Sequence, residues 1–300
     1  MRQTNGLLPG GYIDEQGRLH CEVELAPLSG HEEELLAAHG HAPGAPLVTT
    51  LLSRCVRRVG SLGPLSEASA RRLLVADRQY LLLKLREATF GSHVRSSIAC
   101  PWPDCRQRID VAFSLDAIPI TASADKGPRY ITQLSPEAAV CDVQGGPHSE
   151  VAFRLPNGGD QEALAELAAH NEARALTLLL QRCLLQIGPV AQPPLALVEQ
   201  LSPLARLEIE RAMQAAAPSL DLTMDSTCPE CGRAYSVPFD LQGCLFGELR
   251  VSHDLLYREV HYLAYHYHWS EHEILAFSRE KRRRYIEVLA DEIERLNHGR

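Results

Sequence analysis

The chain has 300 residues, 45 % hydrophobic and 23 % charged, which is globular composition for about two ordinary domains and excludes disorder and fibrous structure. Its net charge of −8 argues against a general nucleic-acid binder, because neutralising phosphates takes a basic face. No window approaches the ~18 consecutive apolar residues of a membrane helix, and the start has neither a basic nor an apolar region, so folding is expected in the cytoplasm.

In chain order, the alternating pattern predicts a strand over 19–25, then helices over 32–38 and 47–59, the second stopped by Gly60. A third helix is expected over 66–89, with Leu74, Leu81, Leu82 and Leu85 near helical spacing. Segments 92–99 and 108–115 read as β and flank Cys100 and Cys105. The stretch 119–147 carries small, polar and turn-forming residues and reads as a linker. The same series then recurs: a strand over 150–155, helices over 161–169, 173–187 and 203–216, and β segments at 221–224 and 234–241 around Cys228 and Cys231.

The recurrence keeps one register. Cys55 and Cys183, Gly60 and Gly188, Arg78 and Arg206, and Cys100 and Cys228 are all 128 residues apart. Past the cysteines, 110–115 echoes 236–241, with the offset shortened by the two residues that the second pair lacks. The expected fold class is α+β, mainly helical: an internally duplicated domain with two zinc-ribbon-like knuckles and a small C-terminal helical module. The first repeat takes 1–118, the linker 119–147, the second repeat 148–250 and the module 251–300.

Five of the nine cysteines, Cys21, Cys55, Cys141, Cys183 and Cys244, stand singly and read as small core residues. Cys100 with Cys105, and Cys228 with Cys231, are instead spaced as knuckles, in which a tight turn brings two thiolates to one ion while backbone N–H groups point at the sulfurs. Each pair is half of a tetrahedral site. The two together predict one shared Zn²⁺, structural because four thiolates leave no open position for chemistry. The competing reading is redox-active or merely buried pairs.

Residues 253–269 read as an aromatic, histidine-rich helix, Ser270 and Glu273 as a capping box, and 279–296 as a last helix capped by Ser278. His268 and His272 have helix-face spacing, as a metal pair would, but the break expected at Trp269 and Ser270 undoes it, and with it the metal reading of the group that His261 and His266 complete. Tyr257, Tyr262, Tyr265, Tyr267 and Trp269 fit partner docking, with core packing the competing use. Lys281, Arg282, Arg283 and Arg284 read as a solvated helix face, an acidic-protein or phosphate contact being the alternative.

The run 77–86, opening Asp77, Arg78, Gln79, Tyr80, followed by Thr89, Phe90, Gly91 and the first knuckle with its strand, resembles baseplate proteins related to the hub components and hub-assembly factors of T4-type phage. The segment 257–275 is similar to a small protein encoded in gene clusters for extracellular contractile injection systems. The resemblance implies a structural or assembly part of the baseplate of a phage-tail-like contractile particle, with other baseplate and hub proteins as partners and no catalytic residues. It also implies a location in the cytoplasm during assembly or in a released particle. The second repeat has Ala205, Arg206, Leu207 and Glu208 where the first has its motif. It implies nothing about zinc, which rests on the cysteines.

A hydrolytic enzyme is the weaker alternative, since the chain has no Gly-rich phosphate loop and no G-x-S-x-G elbow, and His272-Glu273 lacks the second histidine of a zinc protease. A nucleic-acid-binding zinc ribbon is the other, kept open by Arg106, Arg108 and Arg233 but opposed by the net charge.

Overall fold

A computed structural model of the chain describes residues 4–38, 44–141, 146–251 and 253–298. It is a mixed α and β protein. Strands β1 (Thr4–Ile13) and β2 (Leu19–Leu25) form a hairpin; helices α1 (Gly30–Ala38) and α2 (Ala45–Cys55) lead to β3 (Val56–Val59), which closes an antiparallel sheet in the order β1-β2-β3. Helices α3 (Glu67–Arg72) and α4 (Val75–Phe90) follow, then the hairpin of β4 (His93–Ala99) and β5 (Arg108–Ser114). Next come β6 (Ile120–Thr121), β7 (Tyr130–Gln133), β8 (Val140–Cys141), β9 (Pro147–His148) and β10 (Glu150–Phe153). After α5 (Gly158–His170) and α6 (Glu172–Cys183), β11 (Leu184–Ile187) and β12 (Val190–Ala191) complete a second sheet in the order β12-β11-β10-β7. Helices α7 (Leu195–Glu199) and α8 (Pro203–Ala216) precede β13 (Ser219–Leu220), which pairs with β6, and the hairpin of β14 (Thr223–Thr227) and β15 (Ala234–Pro238). The chain finishes in α9 (Leu241–Val251), α10 (His253–Tyr267), α11 (Glu271–Leu275) and α12 (Arg279–His298).

Several boundaries differ from the sequence expectation, each for a reason of pairing. The helix expected over 47–59 stops at Cys55, because Val56 and Val59 are buried as strand residues against β2, where Val56 faces Leu25 and Val59 faces Val23. β-branched residues suit that pleated surface better than a helix turn. Likewise 184–187 is strand rather than helix. The third helix of the first half is broken at Leu73 and Leu74. There the backbone runs extended to accept from Gly158 N–H at Leu73 (3.0 Å), while Val75 N–H donates to the Pro156 carbonyl (3.2 Å). Part of the stretch read as linker is structured: β7 is the edge of the second sheet, with Tyr130 stacked on Phe153 at 5.6 Å. Residues 4–13 form a strand that their Pro9, Gly10 and Gly11 conceal, and β1 is irregular there, between Leu7 and Tyr12.

The two sheets repeat in detail. Val23↔Val59, Glu24↔Arg58 and Leu25↔Val56 in the first, and Val151↔Ile187, Ala152↔Gln186 and Phe153↔Leu184 in the second, stand 128 residues apart and share the same irregularity. Gly60 and Gly188 end these strands in the left-handed region (φ +55° and +51°), donating to the carbonyls of Glu22 (2.7 Å) and Glu150 (2.9 Å). A Cβ at either would fall within 2.5 Å of the ring of His20 or His148, so glycine is required twice over. The buried Arg78 donates to Thr49 Oγ1 and to the carbonyls of Ala70 and Ala45, each at 2.9 Å. Arg206 donates to Thr177 Oγ1 (3.1 Å) and the Val198 carbonyl (2.8 Å).

Separate apolar clusters match these units. Leu8, Leu25, Leu51, Leu81 and Leu85 lie in the first, which also takes Leu245 and Leu249 from α9. Val151, Phe153, Leu180 and Ile209 lie in the second. A third holds Leu256, Leu263, Ile274 and Leu275 of the last helices. These helices are tied to α1 by Arg282, fully buried, whose guanidinium reaches Glu33 (2.8 Å) and Glu259 (2.9 Å) and donates to the Phe277 carbonyl (2.9 Å). Leu275 sits so close to Gly30 that a Cβ there would lie 2.7 Å from it.

Asp77 is fully buried under β1 and accepts from Gly10 N–H at 2.8 Å. Burial pushes its carboxyl up to about 7 from an ordinary 3.8. The unfolded chain therefore releases this proton first, and stability contributed by the protonated carboxyl is full below about pH 4 and lost as pH rises through 7. Asp77→Asn is expected to be more stable than the parent at pH 8, by up to a few kcal/mol, with the difference vanishing towards pH 4. Urea melts at several pH values check it; equal stability at pH 8 would rule out a buried, neutral-preferring carboxyl.

Candidate metal centre

The two cysteine hairpins meet. The sulfurs of Cys100, Cys105, Cys228 and Cys231 all lie within 4.8 Å of one another. Cys100 Sγ is 3.9 Å from Cys231 Sγ, and Cys105 Sγ is 3.9 Å from Cys228 Sγ. A tetrahedral thiolate site with metal–sulfur bonds of about 2.3 Å has sulfur–sulfur edges of about 3.8 Å, and a disulfide needs about 2 Å. The four sulfurs thus have the spacing of ligands around one ion and are unbonded to each other. Each close pair takes one sulfur from each hairpin, so an ion here would bridge β4-β5 to β14-β15.

The local turns explain why each pair converges. In the first, Cys100 N–H donates to the Gln107 carbonyl (2.8 Å), and the N–H groups of Cys105 and Arg106 donate to the Trp102 carbonyl (3.0 and 3.1 Å). In the second, Cys228 N–H donates to the Arg233 carbonyl (3.0 Å) and Gly232 N–H to the Cys228 carbonyl (2.9 Å). Both turns need a left-handed residue just after their second cysteine: Arg106 at φ +49° and Gly232 at φ +70°. This fold aims backbone N–H groups of Trp102, Gln107 and Arg233 at Cys100, Cys105 and Cys231. The longer first turn accommodates Trp102 and Pro103 without losing that pattern.

Electrostatics divide the cluster. The Arg233 N–H, ahead of the side-chain contacts, brings the Cys231 thiol down to about 7, whereas burial pushes Cys100 up to about 12. Cys100 and Cys228 are buried, with Ile109 and Tyr235 packed around them. A cation would offset the cost of ionising buried thiols, since metal binding releases their protons. The hairpins are also joined outside the sulfurs: Arg233 pairs with Asp104 and lies 4.8 Å over the Trp102 ring, whose Nε1–H donates to the Ala234 carbonyl (3.2 Å). These three residues were not legible as partners in the sequence, because the contact joins positions more than a hundred residues apart.

The aromatic residues expected at a docking face separate into two groups. Tyr267 stacks on Trp269 at 4.7 Å, and both meet Tyr285 edge-on, the three rings half-buried against the third apolar cluster. Tyr265 is 70 % exposed, Tyr257 is exposed with its hydroxyl donating to Glu34 (3.0 Å), and Tyr262 is half-buried against His266. Helix α10 ends at Tyr267, with His268 left-handed (φ +57°), and Ser270 and Glu273 form the expected capping box. His272 therefore leaves the α10 face and lies 4.9 Å from His31 of α1.

A family model described as T4 bacteriophage base plate protein matches residues 13–245. A second, described as a family of unknown function, matches residues 249–300. No curated protein and no solved structure matches the chain significantly. No helix among the described residues is long and apolar enough to cross a membrane.

The geometry generates one direct expectation. Titrated with Co²⁺ under reducing conditions, the protein should bind one ion per chain and develop the intense near-ultraviolet absorption of cobalt thiolates. Cys100→Ser and Cys228→Ser should each weaken binding by at least about tenfold. A stoichiometry of two, or full binding in either variant, is incompatible with a single site spanning both hairpins.

Proposed function

The chain belongs to the T4 bacteriophage base plate protein family, and on that premise we propose that it is a non-catalytic component of the baseplate of a phage-tail-like contractile injection system. The family match over 13–245 carries this reading, and the segment 249–300 adds to it only a separate family of unknown function. In this reading the chain assembles with other baseplate and hub proteins and its four cysteines hold a structural Zn²⁺. Thiolate ligands in a closed set of four suit zinc and leave it no position for substrate.

The chain is further read as a duplication, with repeats 1–118 and 148–250 joined through 119–147. The common offset of 128 residues in strand register, in the left-handed glycines and in an arginine that donates to a threonine hydroxyl and a carbonyl supports this. A role for the metal follows: with a knuckle in each repeat, the ion fastens one half to the other. Residues 251–300 form the docking module. Tyr265, with Tyr257 and Tyr262, supplies its contact face, while Tyr267 and Trp269 build the module from within and keep that face in shape.

Mass spectrometry of purified, fully assembled particles tests the reading; its failure is a particle complete without this chain whose assembly also proceeds in its absence. Chelation should raise hydrogen exchange at the boundary of the two repeats before it raises exchange within either sheet. Tyr265→Ala should weaken capture by assembled hubs by about tenfold or more without lowering the melting temperature, as expected for an exposed aromatic anchor. Trp269→Ala should lower both, because its ring packs against the module's core and against Tyr267, Phe277 and Tyr285.

A further inference from the structure

Four arginines are buried among the described residues: Arg78, Arg86, Arg279 and Arg282. Three have acceptors at their terminal guanidinium nitrogens, Arg78 keeping only a buried Nε without one. Arg78 has Thr49 and two carbonyls, Arg86 has the carboxylate of Glu248 and the Gly91 carbonyl, and Arg282 has Glu33, Glu259 and the Phe277 carbonyl. Arg279 is 8 % exposed and has no hydrogen-bond acceptor or ion-pair partner among the described residues; its guanidinium lies 5.2 Å over the ring of Phe90. Burial disfavours the charged guanidinium, and Glu33 and Glu259 offset this only from a distance, so an acceptor at its nitrogens would stabilise it.

Arg279 lines a groove of about 1010 Å³ between the C-terminal end of α4 and the first turns of α12, walled also by Pro27, Phe90, Lys281 and Arg283. Lys281 is itself held over Phe277, 3.7 Å from the ring centre. A guanidinium stacked on an aromatic face keeps its edge donors free in the plane, the arrangement that takes a carboxylate in a bidentate fork. We propose that this groove is a receptor for an aspartate or glutamate side chain on a segment of a partner protein, with Arg279 accepting the carboxylate and Phe90 and Pro27 covering apolar residues beside it. A nucleic-acid strand fits worse: Glu87, Glu280 and Glu287 also line the groove, and they would repel successive phosphates while tolerating one carboxylate. That the segment comes from a neighbouring baseplate subunit rests on the function proposed above; the carboxylate chemistry of the groove does not.

The test selects random dodecapeptides against the full chain and measures one enriched peptide by fluorescence polarisation. Enriched peptides are expected to carry Asp or Glu beside apolar residues. Changing that acid to its amide, or Arg279→Gln in the protein, should each weaken binding about tenfold, and the two losses together should not add. Removing a buried, unpartnered charge should leave the melting temperature of Arg279→Gln unchanged or higher; Arg279→Lys, which keeps the charge and loses the fork, is the second variant and should weaken binding severalfold. Enrichment of peptides without acids, binding indifferent to Arg279→Gln, or no enrichment overturns the proposal. Tighter binding of an oligothymidylate that competes with the peptide assigns the groove to nucleic acid and overturns it equally. None of these outcomes bears on whether the chain is found in particles, which the mass spectrometry decides.

Discussion

Four sulfurs carried on two hairpins, one near residue 100 and the other near residue 230, come within 4.8 Å of one another, and that convergence constrains everything around it. A hairpin with two cysteines offers half of a tetrahedron and has no use for a metal until the other half is brought to it. The hairpins, each a two-stranded sheet of its own, must therefore be held at angles fixed from below, by α4 on one side and by the end of α8 with β13 on the other. Pairing of β6 with β13 and the Trp102, Arg233 and Asp104 contacts hold the approach from outside the sulfur cluster. Much of the geometry that a bound ion would lock is thus set by polypeptide contacts.

Buried arginine is the second organising element. Arg78 gathers three segments, the start of α2, the end of α3 and α4, by donating to carbonyls and to Thr49, which explains how a helix interrupted at Leu73 and Leu74 still packs as one unit. Arg206 repeats the device with a hydroxyl and one carbonyl. The direct acceptors of Arg78 are neutral, and burial draws its guanidinium down to about 10 against the pull of Glu162, still charged near neutrality.

Spacing made the two cysteine pairs legible in the sequence, as two thiols on a short turn form a local pattern, and the structure brings the four sulfurs together. The strand at 19–25 and the helical stretches were legible for the same reason, since their periodicity is contained in a few turns. The misread segments depend on distant partners. Residues 56–59 and 184–187 continue an apolar helical pattern and become strand only because β2 and β10 each need a neighbour. Residues 130–133 lie in turn-rich surroundings and are fixed by Phe153 and its strand. Leu73 and Leu74 give no local signal for a break; the break comes from Gly158, which donates to the Leu73 carbonyl, and Pro156, whose carbonyl accepts from Val75 N–H. At the site, Arg233 looked like one of several basic residues near a knuckle, and only the fold reveals that Asp104 and Trp102 hold it. Arg279 lies beside the run 281–284, expected to be a solvated face; Arg282 in that run is fully buried against Glu33 and Glu259, and nothing in the sequence sets it or Arg279 apart from the exposed Lys281, Arg283 and Arg284.

The ion cluster of Glu33, Glu259 and Arg282 also has a consequence in time. A ribosome makes Glu33 well over two hundred residues before Arg282, and domains fold as they emerge. Throughout that interval α1 carries a carboxylate destined for an interior position with no guanidinium to meet it, and the close fit of Gly30 awaits Leu275. The first sheet can form early, yet the outer face of α1 stays wet until α12 begins. A chain interrupted before residue 282 would display that acidic, half-apolar face, recognisable to quality control as unfinished, whereas the full-length chain conceals it.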